Sequence, residues 1–182
     1  MLKGRFETFP YGLSPLALGE IVRLLVLFTA LLLTACGFHL RGHAGMPFDT
    51  LYLDAANPRT AFIADLRRNL EANKVKLVDT AEQADVVLNI VSEIPEKQIL
   101  SLGGSGRVNE FQLLYRVSLR AYDLKQQDWV PAEEIVLRRD YVYDDTKILA
   151  KEAEEALLYQ SMRSDMVQQI VRRLSRAKPQ PQ

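Results

Sequence analysis

The most regular alternation of apolar and polar positions lies in residues 110–123. One face of this segment would carry Phe111, Leu113, Tyr115, Val117, Leu119 and Ala121. The other face would carry Gln112, Leu114, Arg116, Ser118, Arg120 and Tyr122. A period of two with one largely apolar face is typical of a strand in an antiparallel sheet that covers a core on one side only.

Shorter apolar runs predict further strands at residues 51–53, 75–78, 86–91 and 135–143, the last of them after a polar turn at residues 125–131. Before the long strand, Ile99, Leu100 and Leu102 lead into the glycine-rich segment 103–107. This segment lacks the Gly-Lys-Ser/Thr ending of a phosphate-binding loop, and a strand pattern follows it, so we predict a hairpin tip. Apolar side chains so close to a tip can also indicate a contact with another protein.

Two segments have the period of an amphipathic helix. In the first, Asn57 and Pro58 would begin a helix that ends near Ala72. Its buried stripe would consist of Phe62, Ile63, Leu66 and Leu70. The second would start after the capping pair Asp144-Asp145 and run over residues 146–177, about 48 Å at 1.5 Å per residue. Acidic residues crowd its start (Glu152, Glu154, Glu155) and basic residues its end (Arg172, Arg173, Arg176, Lys178), which complements the helix dipole; the basic end could alternatively contact a membrane.

The order of these elements is strand, helix, several strands, helix, which predicts an α+β fold. We expect a sheet of about four mostly antiparallel strands, with two helices packed on one face.

The most apolar stretch, residues 24–33, is only ten residues long, with Arg23 before it and Thr34-Ala35-Cys36 after it. A helix needs about 20 apolar residues to cross a bilayer, whereas the apolar core of a signal peptide needs about 7–15. The junction Leu33-Thr34-Ala35-Cys36 resembles the bacterial lipobox. This resemblance implies a covalent lipid on Cys36 and cleavage before it, and Gly37 in place of Asp implies sorting to the outer membrane.

The predicted organisation follows from these segments. Residues 1–35 form a lipoprotein signal peptide, 36–49 a lipidated tether, 50–178 a single α+β domain and 179–182 a disordered tail. His39 and His43 are four residues apart, but nearby glycines argue against the helix that a metal site would need, so a solvated linker is favoured.

Composition excludes several classes of function. The net charge of +0 gives no basic field for nucleic acid, and a single Cys excludes an intrachain disulfide or a cysteine-based zinc cluster. Both histidines lie in the tether, so no credible nucleophile and base set is present, and we expect neither an enzyme nor a cofactor beyond the lipid on Cys36. Arg116 and Arg120 share the outward face of the long strand, where they either pair with acids on neighbouring strands or form a cationic surface for an anionic ligand.

The segment Cys36–Gly42, CGFHLRG, directly after the lipobox resembles the mature start of the LPS-assembly lipoprotein LptE family. Four further segments fit over residues 36–177: residues 53–58 before the first helix, 66–78 from helix end into strand, 110–112 at the start of the long strand, and Ile148-Leu149-Ala150-Lys151 at the start of the last helix.

The resemblance implies a non-enzymatic lipoprotein on the periplasmic side of the outer membrane. It would plug the barrel of an LptD-type partner, assist assembly of that barrel and help to deliver lipopolysaccharide to the outer leaflet. Lys151, on a matching segment, and Arg107, at the hairpin tip, would contact the anionic lipid A phosphates. Arg116 and Arg120 join these candidates from the face pattern alone. Two alternatives are a generic outer-membrane lipoprotein that scaffolds another envelope complex and a lipid-anchored periplasmic enzyme; the lack of a nucleophile and base set argues against the second.

Overall fold

The computed structural model describes Arg23 and residues 45–179. In the order of the chain, the folded part has strand β1 (Thr50–Ala55), helix α1 (Ala61–Ala72), strands β2 (Lys76–Val78), β3 (Val86–Leu102), β4 (Val108–Tyr122) and β5 (Asp128–Val142), and helix α2 (Ile148–Leu174). Short 3₁₀ turns at Ala81–Gln83 and Asp145–Lys147 precede β3 and α2.

The five strands form one mixed sheet in the order β2-β1-β3-β4-β5. β1 pairs in parallel with β2 and β3, and the long strands β3, β4 and β5 form an antiparallel meander. The α+β prediction is confirmed, with five strands in place of about four. The additional parallel pairing arises because α1 carries the chain from β1 back to the start of β2, as a right-handed crossover usually does.

One core joins the sheet to both helices. The apolar face predicted for the long strand supplies Leu113, Tyr115, Val117, Leu119 and Ala121 to it. α1 contributes Phe62, Ile63, Leu66 and Leu70, and α2 contributes Met162, Met166, Val167, Ile170 and Leu174. An ion pair from Arg163 Nε to Asp65 Oδ2, 2.8 Å long, also joins the two helices.

Three predicted boundaries were wrong, each for a local reason. α1 starts at Ala61 because the Thr60 hydroxyl accepts a hydrogen bond from the Ile63 N–H and caps the helix there. β5 starts at Asp128 because the turn before it is closed by the Asp123 carboxylate, which accepts hydrogen bonds from two turn N–H groups. α2 is shorter at both ends than residues 146–177: a 3₁₀ turn capped by Asp144 precedes it, and after Leu174 the Arg176 and Ala177 N–H groups bond three residues back in a tighter turn.

β3 is a single strand of 17 residues, although the sequence pattern suggested two short apolar runs on either side of Pro95. β1 pairs with β3 only as far as Ile90, so the remainder of β3 has β4 on one side and, within residues 45–179, no strand on the other. A proline is tolerated where one side of a strand is unpaired.

The packed part of the chain begins before residue 50. Phe48 is buried and packs edge-on against Trp129, with ring centroids 5.7 Å apart, so the packed part of the chain includes a residue assigned to the tether. The remainder of the tether before residue 45, including His39 and His43, and the tail after residue 179 lie outside the described residues.

Candidate functional site at the distal end of the sheet

The hairpin tip between β3 and β4, the last residues of β5 and the start of α2 lie at one end of the sheet, which we name the distal end. Register places Leu102 opposite Val108 and Glu110 opposite Val142. The predicted hairpin tip is confirmed: Gly103 N–H donates to the Arg107 carbonyl over 2.8 Å, and Gly106 has the positive φ of 76° that such a tight turn requires.

Large apolar side chains are exposed at the distal end instead of being buried. They are Ile99, Leu100, Leu102, Val142, Ile148 and Leu149, and the last of these is 82% exposed. Scattered exposed apolar residues are ordinary, but six that lie close to one end of a small domain indicate a contact surface. The expectation from sequence covered only the three on β3; the others join them because β5 and α2 meet at the same end.

The structure places Arg107 and Lys151 at this end. Arg107 is exposed at the hairpin tip, and its Nη1 lies 3.2 Å from Asp145 Oδ2 in the turn before α2. Lys151 lies one turn into α2 with its side chain only 18% exposed, and its Nζ is 2.7 Å from Glu154 Oε2. The Arg107–Asp145 pair is solvent-exposed and therefore contributes little net energy, whereas in the Lys151–Glu154 pair the lysine is mostly covered and the acid is exposed.

Arg116 and Arg120 lie on the opposite face of the sheet from the helices, as the alternation predicted. Each is paired with an acid from a neighbouring strand: Arg116 with Glu96 on β3, and Arg120 with Asp128 on β5, where Nε lies 2.6 Å from Oδ1. The guanidinium of Arg120 also lies over the Tyr122 ring. Of the two interpretations left open by the sequence, cross-strand pairing is the one that the geometry supports, and the two arginines do not join Arg107 and Lys151.

A cluster around Lys97 was missed by sequence reasoning. Lys97 Nζ lies 4.1 Å from the centre of the Phe111 ring, 2.6 Å from Glu155 Oε2, and near the rings of Tyr141 and Tyr143. In one strand that continues across Pro95, Lys97 shares the core face with Pro95 and Ile99. Reading residues 86–102 as a single strand would therefore have identified Lys97.

This cluster holds the first half of α2, residues 148–161, against the sheet. No side chain of this half is buried, and the first buried residue of α2 is Met162. Leu158 packs partly buried against the core, and two hydrogen bonds add to this contact: Tyr141 hydroxyl donates to Glu155 over 2.6 Å, and Tyr159 hydroxyl donates to the Glu96 carbonyl over 2.8 Å. Glu155 therefore has a specific partner, beyond the favourable charge at a helix start that the sequence suggested.

A groove of about 390 Å³ runs beside this contact, lined by Lys97, Glu152, Glu155, Ala156 and Tyr159. Partial burial raises the pKa of Tyr141 to about 12, and its hydrogen bond to Glu155 adds to the rise. Burial alone would raise the pKa of Glu155, but hydrogen bonds from Lys97 and Tyr141 outweigh it and hold that pKa below the usual value of 4.5.

The contact is expected to weaken in acid. Because the folded state lowers the pKa of Glu155, the stabilisation is complete above pH 4.5 and is lost as pH falls through the lowered pKa. Amide hydrogen exchange, corrected for its intrinsic pH dependence, should show protection of residues 148–161 falling between pH 6 and pH values below 4.5.

Lys97→Met provides the matched control because it keeps a long side chain over Phe111 and removes the charge. This variant should show low protection of residues 148–161 already at pH 6 and little further change in acid. Equal pH profiles in the two proteins would contradict the assigned role of the Lys97–Glu155 pair.

The predicted lipid-attachment residue Cys36 lies outside the described residues. In the part of the chain that the structure describes, no three His, Cys, Asp or Glu residues are grouped as metal ligands would be. Over the same residues, no helix combines the length and the apolarity needed to cross a membrane.

The sequence pattern of the family described as "LptE: Lipopolysaccharide-assembly" matches residues 48–174, a range that includes strands β1 to β5 and helices α1 and α2. A protein of Pectobacterium atrosepticum named "LPS-assembly lipoprotein LptE" is 33% identical over 154 residues, which cover 82% of this chain and 83% of the relative. A Yersinia pestis protein of the same name is 31% identical over 158 residues, covering 85% of this chain and 75% of the relative.

Solved structures agree with the sequence comparison. The solution structure of an uncharacterized lipoprotein B from Nitrosomonas europaea superposes with a TM-score of 0.67 at 41% identity, covering 76% of this chain and 90% of that one. The crystal structure of the rare lipoprotein B from Shewanella oneidensis gives a TM-score of 0.61 at 30% identity, covering 68% and 91%. With the family pattern spanning the whole packed domain and relatives above 30% identity over most of both chains, this chain belongs to the LptE family of lipopolysaccharide-assembly lipoproteins.

Proposed function

We propose that this protein is the lipoprotein subunit of a lipopolysaccharide export complex. It is anchored through acyl chains on Cys36 to the periplasmic side of the outer membrane. Its folded domain occupies the lumen of an LptD-type barrel, assists assembly of that barrel and helps to pass lipopolysaccharide to the outer leaflet. The observation that carries the proposal is the family match over residues 48–174, together with relatives named for LPS assembly.

The distal end supports the proposal chemically. Lipopolysaccharide presents phosphates next to acyl chains, and a site for it needs cations beside apolar surface. Arg107 and Lys151 lie at the same end as the exposed side chains of Leu102 and Leu149. Arginine and lysine form charge-assisted hydrogen bonds with phosphate, so both could exchange their surface carboxylates for the ligand.

We expect charge reversal at these two residues to weaken lipopolysaccharide binding. Each lost charge-assisted hydrogen bond removes about 1.5–3 kcal/mol, so Arg107→Glu or Lys151→Glu should each raise the dissociation constant about tenfold or more. Binding of purified lipopolysaccharide to the detergent-solubilised protein, measured by a surface-immobilised assay, would check this expectation.

Arg67→Glu is a matched control, because Arg67 is exposed on α1, which contributes no residue to the distal end. Arg116→Glu and Arg120→Glu form a separate comparison, since both residues would have to leave Glu96 and Asp128 to hold phosphate. Unchanged affinity in both Arg107→Glu and Lys151→Glu would exclude the proposed site. Weakening only by Arg116→Glu or Arg120→Glu would instead place the site on the face of the sheet opposite the helices.

The alternative is an outer-membrane lipoprotein that scaffolds a different envelope complex. Affinity purification of the tagged, lipidated protein from outer membranes distinguishes the two functions. The proposed function requires recovery of a large β-barrel protein in stoichiometric amount, and recovery of other envelope proteins without a barrel would favour the scaffold.

A further inference from the structure

β2 and β5 are the two edge strands of the sheet, and β5 is the longer of them. β5 pairs with β4 on one side, and no strand of the described residues pairs with its other side. Such an edge presents a row of free backbone N–H and C=O groups to any other chain. Pro131 lacks an N–H and limits the usable edge to the residues that follow it, up to Val142.

The charges along this edge are complementary to those of a second copy in antiparallel orientation. Two acids, Glu133 and Glu134, and two bases, Arg138 and Arg139, flank the apolar residues 135–137. A two-fold axis through Val136 would place Glu134 of each copy opposite Arg138 of the other, and Glu133 opposite Arg139. Opposite charges across strands are favourable, whereas a parallel, in-register pairing would place like charges opposite each other.

Glu134 and Arg138 are available for such a contact. Both are exposed, both lie on the face of the sheet away from the helices, and neither side chain has an ion pair or hydrogen bond within residues 45–179. They are four residues apart on one strand, roughly 13 Å, which is too far for them to pair with each other. By contrast, Glu133 and Arg139 already bind Arg173 and Asp165 of α2, and they fix that helix beside the strand.

We propose that β5 is a self-association edge, at which two copies of this chain pair antiparallel about Val136 and join their sheets into one of ten strands. The contact is isologous, so each partner offers the same residues and the assembly closes as a dimer. The proposed dimer forms before the protein enters any larger complex, and it does not depend on lipopolysaccharide binding.

Cysteine cross-linking tests the geometry, since two residues on the two-fold axis face each other. The full chain carrying Val136→Cys would be extracted in detergent in its lipidated form and oxidised, with Val142→Cys as the matched control on the same strand. In the dimer the Cα atoms at position 136 lie about 5 Å apart, which allows a disulfide, whereas those at position 142 lie roughly 40 Å apart.

The proposal requires a dimer band with Val136→Cys and only the background of the parent protein with Val142→Cys. No cross-link at position 136, equal cross-linking at both positions, or a cross-link from position 136 to a different protein would overturn it.

Charge exchange tests the pairing. Glu134→Arg and Arg138→Glu should each raise the dimer dissociation constant about tenfold in sedimentation equilibrium, because each change creates two like-charged pairs in the dimer. The double variant restores both pairs with reversed signs and should return to within about twofold of the parent. A double variant as weak as the single variants, or a parent protein that stays monomeric at high concentration, would refute the self-association edge.

Discussion

Replacing Cys36 with serine is expected to abolish lipid attachment and to remove the protein from the outer membrane. The serine hydroxyl cannot take the place of the thiol that accepts the diacylglyceryl group, and cleavage before residue 36 follows that step in the processing that the lipobox implies. Two or more acyl chains give stable anchoring, at about 0.8 kcal/mol for each buried CH₂ group, so their loss is a large effect. Mass spectrometry and membrane fractionation would measure it.

The expected product is a larger, unlipidated precursor that retains residues 1–35 and is absent from the outer-membrane fraction. Ala35→Gly serves as the control, because it keeps a small residue beside the cysteine and should be processed normally. A Cys36→Ser protein that still gained acyl chains, or that still reached the outer membrane, would contradict the predicted lipid attachment.

Phe62→Ala is expected to cause the largest loss of stability from a single change in the domain. Phe62 is fully buried on α1, and its ring meets Tyr115 of β4 edge-on with centroids 6.2 Å apart. Truncation leaves a cavity beneath the helix and should lower the free energy of unfolding by about 3–5 kcal/mol. That is a large part of the ~5–15 kcal/mol that stabilises an ordinary domain.

Urea unfolding followed by circular dichroism would measure this change. Leu149→Ala is a useful comparison, because the side chain is exposed at the distal end and its loss should change stability by less than about 0.5 kcal/mol. A similar loss of unfolding free energy in the two variants would show that Phe62 does not close the core beneath α1.

The features predictable from sequence were those with a regular local period. β4 matched its alternation closely, since one face of that strand is buried along most of its length. The position of Thr60 as the helix cap was not predictable with certainty, because Asn57-Pro58 offered an equally good local signal. The continuity of β3 depended on which neighbours β3 has beyond Ile90, and that is a property of the sheet as a whole.

The candidate site was predictable only in part, for the same reason. Arg107 and Lys151 were found from resemblance and from position, and the fold brings them to one end. Lys97 was missed because its partner Glu155 is 58 residues away in sequence. Only the continuity of β3 across Pro95 would have placed Lys97 on the core face, and that continuity is set by the sheet and not by a local pattern.

The ion pair between Arg163 and Asp65 connects residues 98 positions apart, and it has a consequence for the order in which the chain folds. The hairpins of β3, β4 and β5 close short loops, and such local contacts form quickly at little cost in chain entropy. The contacts of α2 with α1 close a far longer loop, and α2 follows β1 to β5 and α1 along the chain. We therefore expect the meander to form first and the docking of residues 162–174 to complete the core as the final step of folding.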